Sequence, residues 1–180
     1  MQLSDQRTIK AAPETVWAAI LNPDVLKACV PGCESMTGSP ETGYEAIVVQ
    51  KVGPVSARFT GVVKLSDIVE GSEVTLSGEG KGGPAGFAKG SAKVTMTPEG
   101  DGTLLTYEVN ANVGGKLAQL GSRIIDGFAK KMADQFFERF QETIEGPKAE
   151  EETVLAEGEE APKKGWLGRM FGKDSKGGQE

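Results

Sequence analysis

Residues 54–66 constrain the fold most, because apolar and polar side chains alternate along nearly the whole stretch. Val55, Ala57, Phe59, Gly61, Val63 and Leu65 share one parity, and Ser56, Arg58, Thr60, Lys64 and Ser66 share the other. Side chains on a strand point alternately to its two faces, so this is a long strand with one face buried and one solvated. The pattern recurs at Val74, Leu76, Gly78 and Gly80. It returns at Ala88, Gly90, Ala92, Val94 and Met96, opposite Lys89, Ser91, Lys93 and Thr95. Turn signals at residues 39–43, 70–72 and 98–102 separate the runs, and antiparallel hairpins are the economical connection.

Helical signals bracket these strands. Residues 2–10 read as a first strand, and Pro13 then suits the first turn of a short helix carrying Val16, Trp17, Ile20 and Leu21. Asn22-Pro23-Asp24 starts a second short helix, which stops at Pro31-Gly32. A long helix is expected from Ile124, Phe128, Met132, Phe136, Phe140 and Ile144, with Leu117 and Leu120 extending its stripe backwards and Gly146-Pro147 ending it. This order resembles the α+β helix-grip fold, in which a curved antiparallel sheet wraps a long C-terminal helix and leaves an apolar cavity between them.

The inward parity carries Val, Leu and Met at one end of the sheet and Gly and Ala at the other. Gly121 and Gly127 fall within the stretch read as the closing helix, where each costs ~1 kcal/mol relative to alanine. Such glycines either let helix and sheet approach closely or clear room for a guest; small residues on both walls favour the guest. Tyr107 is a candidate hydrogen-bond donor in an otherwise apolar lining, which suits a greasy molecule with a polar head. The run Gly78–Gly86 lacks the Ser or Thr after Lys81 and the helix start that a phosphate loop requires. It reads as a flexible loop at the cavity mouth, with Phe87 behind it as a gate or a core anchor.

Composition removes several functional classes. The 180 residues have a formal net charge of −6, which argues against nucleic acid as the main partner. Histidine is absent, and with it the commonest general base and metal ligand. Cys29 and Cys33 have no further Cys or His to complete a zinc site and read as two small thiols at a turn. No catalytic constellation and no metal site emerge, and a non-enzymatic protein is expected. No apolar run is long enough to span a bilayer and no signal peptide is evident, so the expected location is cytoplasmic.

The C-terminal segment differs in character. Residues 147–162 are acidic and Pro-containing and read as a flexible linker after a domain of residues 1–146. Residues 163–180 then place Trp166, Leu167, Met170 and Phe171 on one helical arc, flanked by Lys163, Lys164, Arg169 and Lys173. Such an arc docks on its own domain, on another protein or on lipid. The concentration of basic charge after an acidic linker favours an anionic membrane, since each basic side chain gains ~1 kcal/mol there. Peripheral attachment to the inner face of the cell membrane is the expected result.

Several runs carry a family resemblance over residues 1 to about 146. They are Ala12-Pro13-Glu14 with Val16-Trp17, Pro31-Gly32-Cys33-Glu34, and Val52-Gly53-Pro54-Val55 with Arg58-Phe59. Gly80-Lys81-Gly82-Gly83 with residues 85–90 follows, and the most specific is Val113 through Arg123 followed by Asp126-Gly127. The chain resembles the G subunit of aerobic, molybdenum-containing carbon monoxide dehydrogenase, within the START-like helix-grip (SRPBCC) superfamily. The resemblance implies an accessory protein of a molybdenum hydroxylase, linked to membrane attachment and to binding an isoprenoid quinone (menaquinone or ubiquinone), with no covalent cofactor. The quinone chain is then expected against Phe59, Val63, Leu76, Ala92, Val94, Leu117, Leu120, Gly121, Ile124 and Phe128, with Phe87 and Tyr107 near it. A maturation or recruitment factor without a quinone role is the alternative. An enzyme acting on a hydrophobic ketide-like substrate is the third reading, and it would need inward acids or bases that the periodicity does not supply.

Overall fold

The computed structural model describes residues 1–146; the linker of residues 147–162 and the segment 163–180 lie outside the described residues. Strand β1 (Gln2–Ile9) leads into helices α1 (Pro13–Ile20) and α2 (Pro23–Cys29). A meander follows through β2 (Cys33–Ser39), β3 (Gly43–Val52), β4 (Val55–Val69), β5 (Glu73–Lys81), β6 (Phe87–Glu99) and β7 (Gly102–Gly114). Helices α3 (Lys116–Gln119) and α4 (Ser122–Glu145) complete the described residues. All pairings are antiparallel, in the order β1-β7-β6-β5-β4-β3-β2.

The alternation in the sequence is the alternation in the sheet. Along β4 every residue of the Val55–Leu65 parity is half-buried and every residue of the other parity is exposed. The helix starts also follow local chemistry: Asn22 Oδ1 accepts from the backbone N–H groups of Asp24 at 2.8 Å and Val25 at 3.4 Å, beside Pro23 at the first helical position. Cys29 and Cys33 are both free thiols. Burial raises both thiol pKa values; hydrogen bonds to Thr143 and to the Ser35 carbonyl partly offset this.

The closing helix departs from the expected single rod. Gly121, at φ +92°, breaks it into α3 and α4, a backbone turn that favours glycine. The step-of-four stripe also fails at its start: Phe128, Met132, Phe136, Phe140 and Ile144 face the interior, but Ile124 does not. A step of four advances ~40° beyond a full turn, so a stripe from 124 to 144 would wrap half-way round the helix. The helix instead mixes steps of three and four, burying Ile125, Phe137 and Phe140 and leaving Ile124 43% exposed.

Buried side chains form two clusters. The larger joins Ile9, Val16, Ile20, Cys29, Val74, Val94, Met96, Leu105, Tyr107, Phe137 and Phe140; the smaller has Val52, Leu117 and Ile125.

Candidate functional site

Between the concave sheet face and α4 lie two adjoining apolar cavities. One, of about 500 Å³, is bounded by α1, α2, the middle of the sheet and the Met132–Phe137 stretch of α4. The other, of about 380 Å³, is bounded by Val48, Val52, Phe59, Ala88, Val113, Leu117, Ile125 and Phe128 among others. Val109, Met132 and Ala133 belong to both walls. The small residues create this space: Ala88, Ala92, Ala111, Ala129 and Ala133 stand where larger side chains would meet across it.

The polar groups on these walls are mostly engaged. The Tyr44 hydroxyl donates to the Leu21 carbonyl at 2.6 Å, and the Gln50 side-chain amide donates to the Pro31 carbonyl. Tyr107 stacks on Phe137, with centroids 4.6 Å apart, and is 3% exposed. Burial raises the Tyr107 pKa, with Asp5 and Asp134 adding to the effect and Arg7 opposing it, so the phenol is a neutral donor at neutral pH. Among the described residues no group of His, Cys, Asp or Glu side chains is placed to hold a metal ion.

The residues expected from sequence are divided by the structure. Val63, Leu76, Ala92, Val94 and Tyr107 line the larger cavity, and Phe59, Leu117 and Phe128 line the smaller. Leu120 packs beside the small cluster without reaching a cavity wall, and Ile124 points outward near the β3–β4 turn, where a Cβ on Gly53 would lie 3.7 Å from its Cγ2. Phe87 starts β6 on the outward parity, 43% exposed, and its ring covers Gly114; it neither gates nor anchors the interior. Gly121 and Gly127 are exposed and line neither of the two apolar cavities. The step-of-four stripe supplies Phe128, Met132 and Phe136 of the α4 wall, whereas Ile125, Ala129, Ala133 and Phe137 lie off that step and were missed. Sequence reasoning also missed the α1–α2 wall, Ile20, Leu26 and Val30, whose apolar pattern reads equally well as ordinary core.

The glycine-rich loop is locked against its neighbours. A Cβ on Gly82 would come within 2.5 Å of the Phe59 ring. Gly86, at φ +110°, lies against the backbone of Gly114 and Gly115, and the Gly82 N–H donates to the Gly86 carbonyl at 2.8 Å. Space continues out of the smaller cavity elsewhere. A vestibule of about 360 Å³ shares Met1, Ala111, Val113 and Ile125 with it and adds Asn112, Ala118, Gly121, Ser122 and Asp126. Gly121 thus marks the elbow at the entrance.

The residues expected to bind a membrane, Lys163, Lys164, Trp166, Leu167, Arg169, Met170, Phe171 and Lys173, lie outside the described residues. Within those described, no helix is long and apolar enough to cross a membrane.

Comparison with known proteins places this architecture. A solved conserved protein from Geobacillus kaustophilus is 30% identical, with a TM-score of 0.74 over 80% of this chain and 95% of that one. A START superfamily protein from Mycobacterium smegmatis has a TM-score of 0.60 at 14% identity, over 80% of this chain and 97% of the other. A protein from Thermus thermophilus gives 0.61 at 15% identity over 80% and 97%. These two likenesses concern the fold alone, which is START-like. No curated protein matches the sequence. The family model described as the carbon monoxide dehydrogenase G subunit (CoxG) matches residues 6–145, nearly the whole described unit, and the chain belongs to that family.

Proposed function

We propose that this protein is a membrane-tethered accessory protein of an aerobic carbon monoxide dehydrogenase-type molybdenum hydroxylase, and that it holds an isoprenoid quinone in its interior. The observation that carries this reading is the pair of adjoining cavities, about 380 and 500 Å³, within the range of roughly 300–1,000 Å³ typical of small-molecule sites. Their apolar walls, with Tyr107 as a polar point, suit a long hydrocarbon chain carrying a small polar ring. The basic and aromatic residues 163–173 supply the tether. Electron transfer belongs to the enzyme's own cofactors and the quinone, and this chain's part is to bind, shield and deliver.

The test is extraction of the full-length protein, purified from a quinone-making host, with organic solvent, followed by mass spectrometry. Substoichiometric isoprenoid quinone is expected. Ala92→Phe fills the larger cavity and Ala129→Phe the smaller; both should lower the quinone content while the fold survives. Adding the wild-type protein should also raise steady-state quinone reduction by the partner enzyme. An unchanged quinone content in both folded variants would remove the cavity assignment. Enzyme recruited to membranes with no gain in quinone reduction would establish the maturation or recruitment role instead.

A further inference from the structure

The charged residues of the described unit are sorted between its two ends. At one end lie the three hairpin turns β2–β3, β4–β5 and β6–β7. Residues 39–43, 67–73 and 98–102 contain Glu41, Asp67, Glu70, Glu73, Glu99 and Asp101 and not one Lys or Arg. At the other end lie the β3–β4 turn, the β5–β6 loop, α3 and the start of α4, drawn together by Gly53 beside Ile124 and by Gly86 against Gly114 and Gly115. Exposed Lys51, Lys81, Lys89, Lys116 and Arg123 ring this second end, and none has an ion-pair partner among the described residues. Its acids are Glu34, which is paired with Arg58, and Glu45, Glu79 and Asp126. In a chain of net charge −6 this is a local reversal of sign.

Two further features coincide with the basic collar. Phe87 and Ile124, both 43% exposed, stand among the cations with exposed Pro54 and Pro84. The vestibule adjoining the smaller cavity lies at this same end, between Met1 and the end of β7 on one side and the α3–α4 elbow on the other, with Asp126 on its wall. Apolar side chains set in a ring of unpaired cations fit an interface with anionic headgroups over an apolar layer. The acidic opposite end is repelled by the same surface.

We infer that the folded unit docks on anionic lipid by this basic end, so that its cavity mouth faces the bilayer directly. Lys51, Lys81, Lys89, Lys116 and Arg123 contact headgroups while Phe87 and Ile124 dip below them. The inference deepens the proposed function by giving its ligand a route, but the orientation itself needs no quinone.

The experiment uses the full chain with Cys33→Ser, carrying one fluorescent label at Pro84→Cys or at Glu41→Cys. It is mixed with quinone-free vesicles of phosphatidylcholine and phosphatidylglycerol that contain a lipid-borne quencher. The label at position 84 should be quenched and the label at 41 should not. If Pro84→Cys perturbs the fold, Ile124→Cys reports the same end. Changing the five cations to Gln should abolish quenching at 84, through a weakening of at least about a hundred-fold in this face's affinity. Vesicle flotation should persist through residues 163–173. Equal quenching at both ends, quenching at neither, or quenching that survives the five Gln changes would overturn the docking surface. Because no quinone is present, failure of the ligand assignment would leave these readings unaltered.

Discussion

The two ends of the interior are built differently. Of the eleven buried residues in the larger cluster, seven (Ile9, Val16, Cys29, Val74, Met96, Leu105 and Phe140) line neither apolar cavity and form a solid plug at the acidic end. All three buried residues of the smaller cluster, Val52, Leu117 and Ile125, are cavity wall. A plug side chain is surrounded by partner atoms, whereas a wall side chain lacks them on one side and so contributes less dispersion. Packing is therefore solid at the acidic end, and the ligand space runs from beside that plug toward the basic end.

The sharpest way to break that comparison is to truncate one residue from each end. Phe140 is 0% exposed and stacks on Phe136, with centroids 5.7 Å apart. Phe140→Ala should cost about 3–5 kcal/mol. Ile125→Ala enlarges a space already present and should cost about 1–2 kcal/mol, below the usual range for such a change. Urea midpoints with an unchanged m-value would measure both. Equal costs would show that the wall is as tightly supported as the plug.

The next contrast lies within one loop and is smaller. Gly86→Ala places a Cβ 2.0 Å from the Gly114 carbonyl oxygen at φ +110°, and backbone cannot step aside. A loss of at least about 2 kcal/mol is expected. Gly82→Ala meets only the rim of the Phe59 ring, which borders the smaller cavity and has room to swing into it. It should cost less than about 1 kcal/mol but reduce ligand content, because the displaced ring occupies ligand space. Melting and extraction measured on the two variants separate these outcomes.

How much of this was legible depended on the periodicity involved. A period of two is exact in a strand, so the inward residues of β4, β5 and β6 followed from the sequence; the same parity puts Phe87 outside with Lys89 and Ser91, against the expectation that set it near the ligand. A helix has no whole-number period, so the step-of-four stripe leaves the buried face at its first member, where Ile124 replaced Ile125 among the expected wall residues. Gly121 looked like a notch within a helix; only its positive φ distinguishes that from a break between helices. The β3–β4 turn at Gly53-Pro54 was conspicuous as a motif but not counted as a turn signal. The sorting of charge between the ends was invisible in sequence, because the cations at 51, 81, 89, 116 and 123 converge only once the sheet is formed.

The smallest contrast is between the two buried tyrosines of the larger cavity wall. Tyr44→Phe deletes the hydroxyl that satisfies the Leu21 carbonyl and should cost about 1 kcal/mol at neutral pH. Tyr107→Phe keeps the stack on Phe137 and should change stability by less than about 0.5 kcal/mol. Burial raises both pKa values, with Glu41 adding to the effect at Tyr44. The folded state thus holds the phenolic proton more tightly than the unfolded state. Their contribution is fully present below the unfolded value of about 10 and is lost as pH rises through the higher folded values. Cys29 and Cys33 act in the same sense from a lower pH, so each variant is to be compared with wild type at every pH. Urea titrations from pH 7 to above pH 10 should show the wild type falling more steeply at the alkaline end than the Tyr44→Phe, Tyr107→Phe double variant. Parallel curves would mean that the cavity wall admits enough water to erase the effect of burial, and the wall would then be wetter than its apolar lining implies.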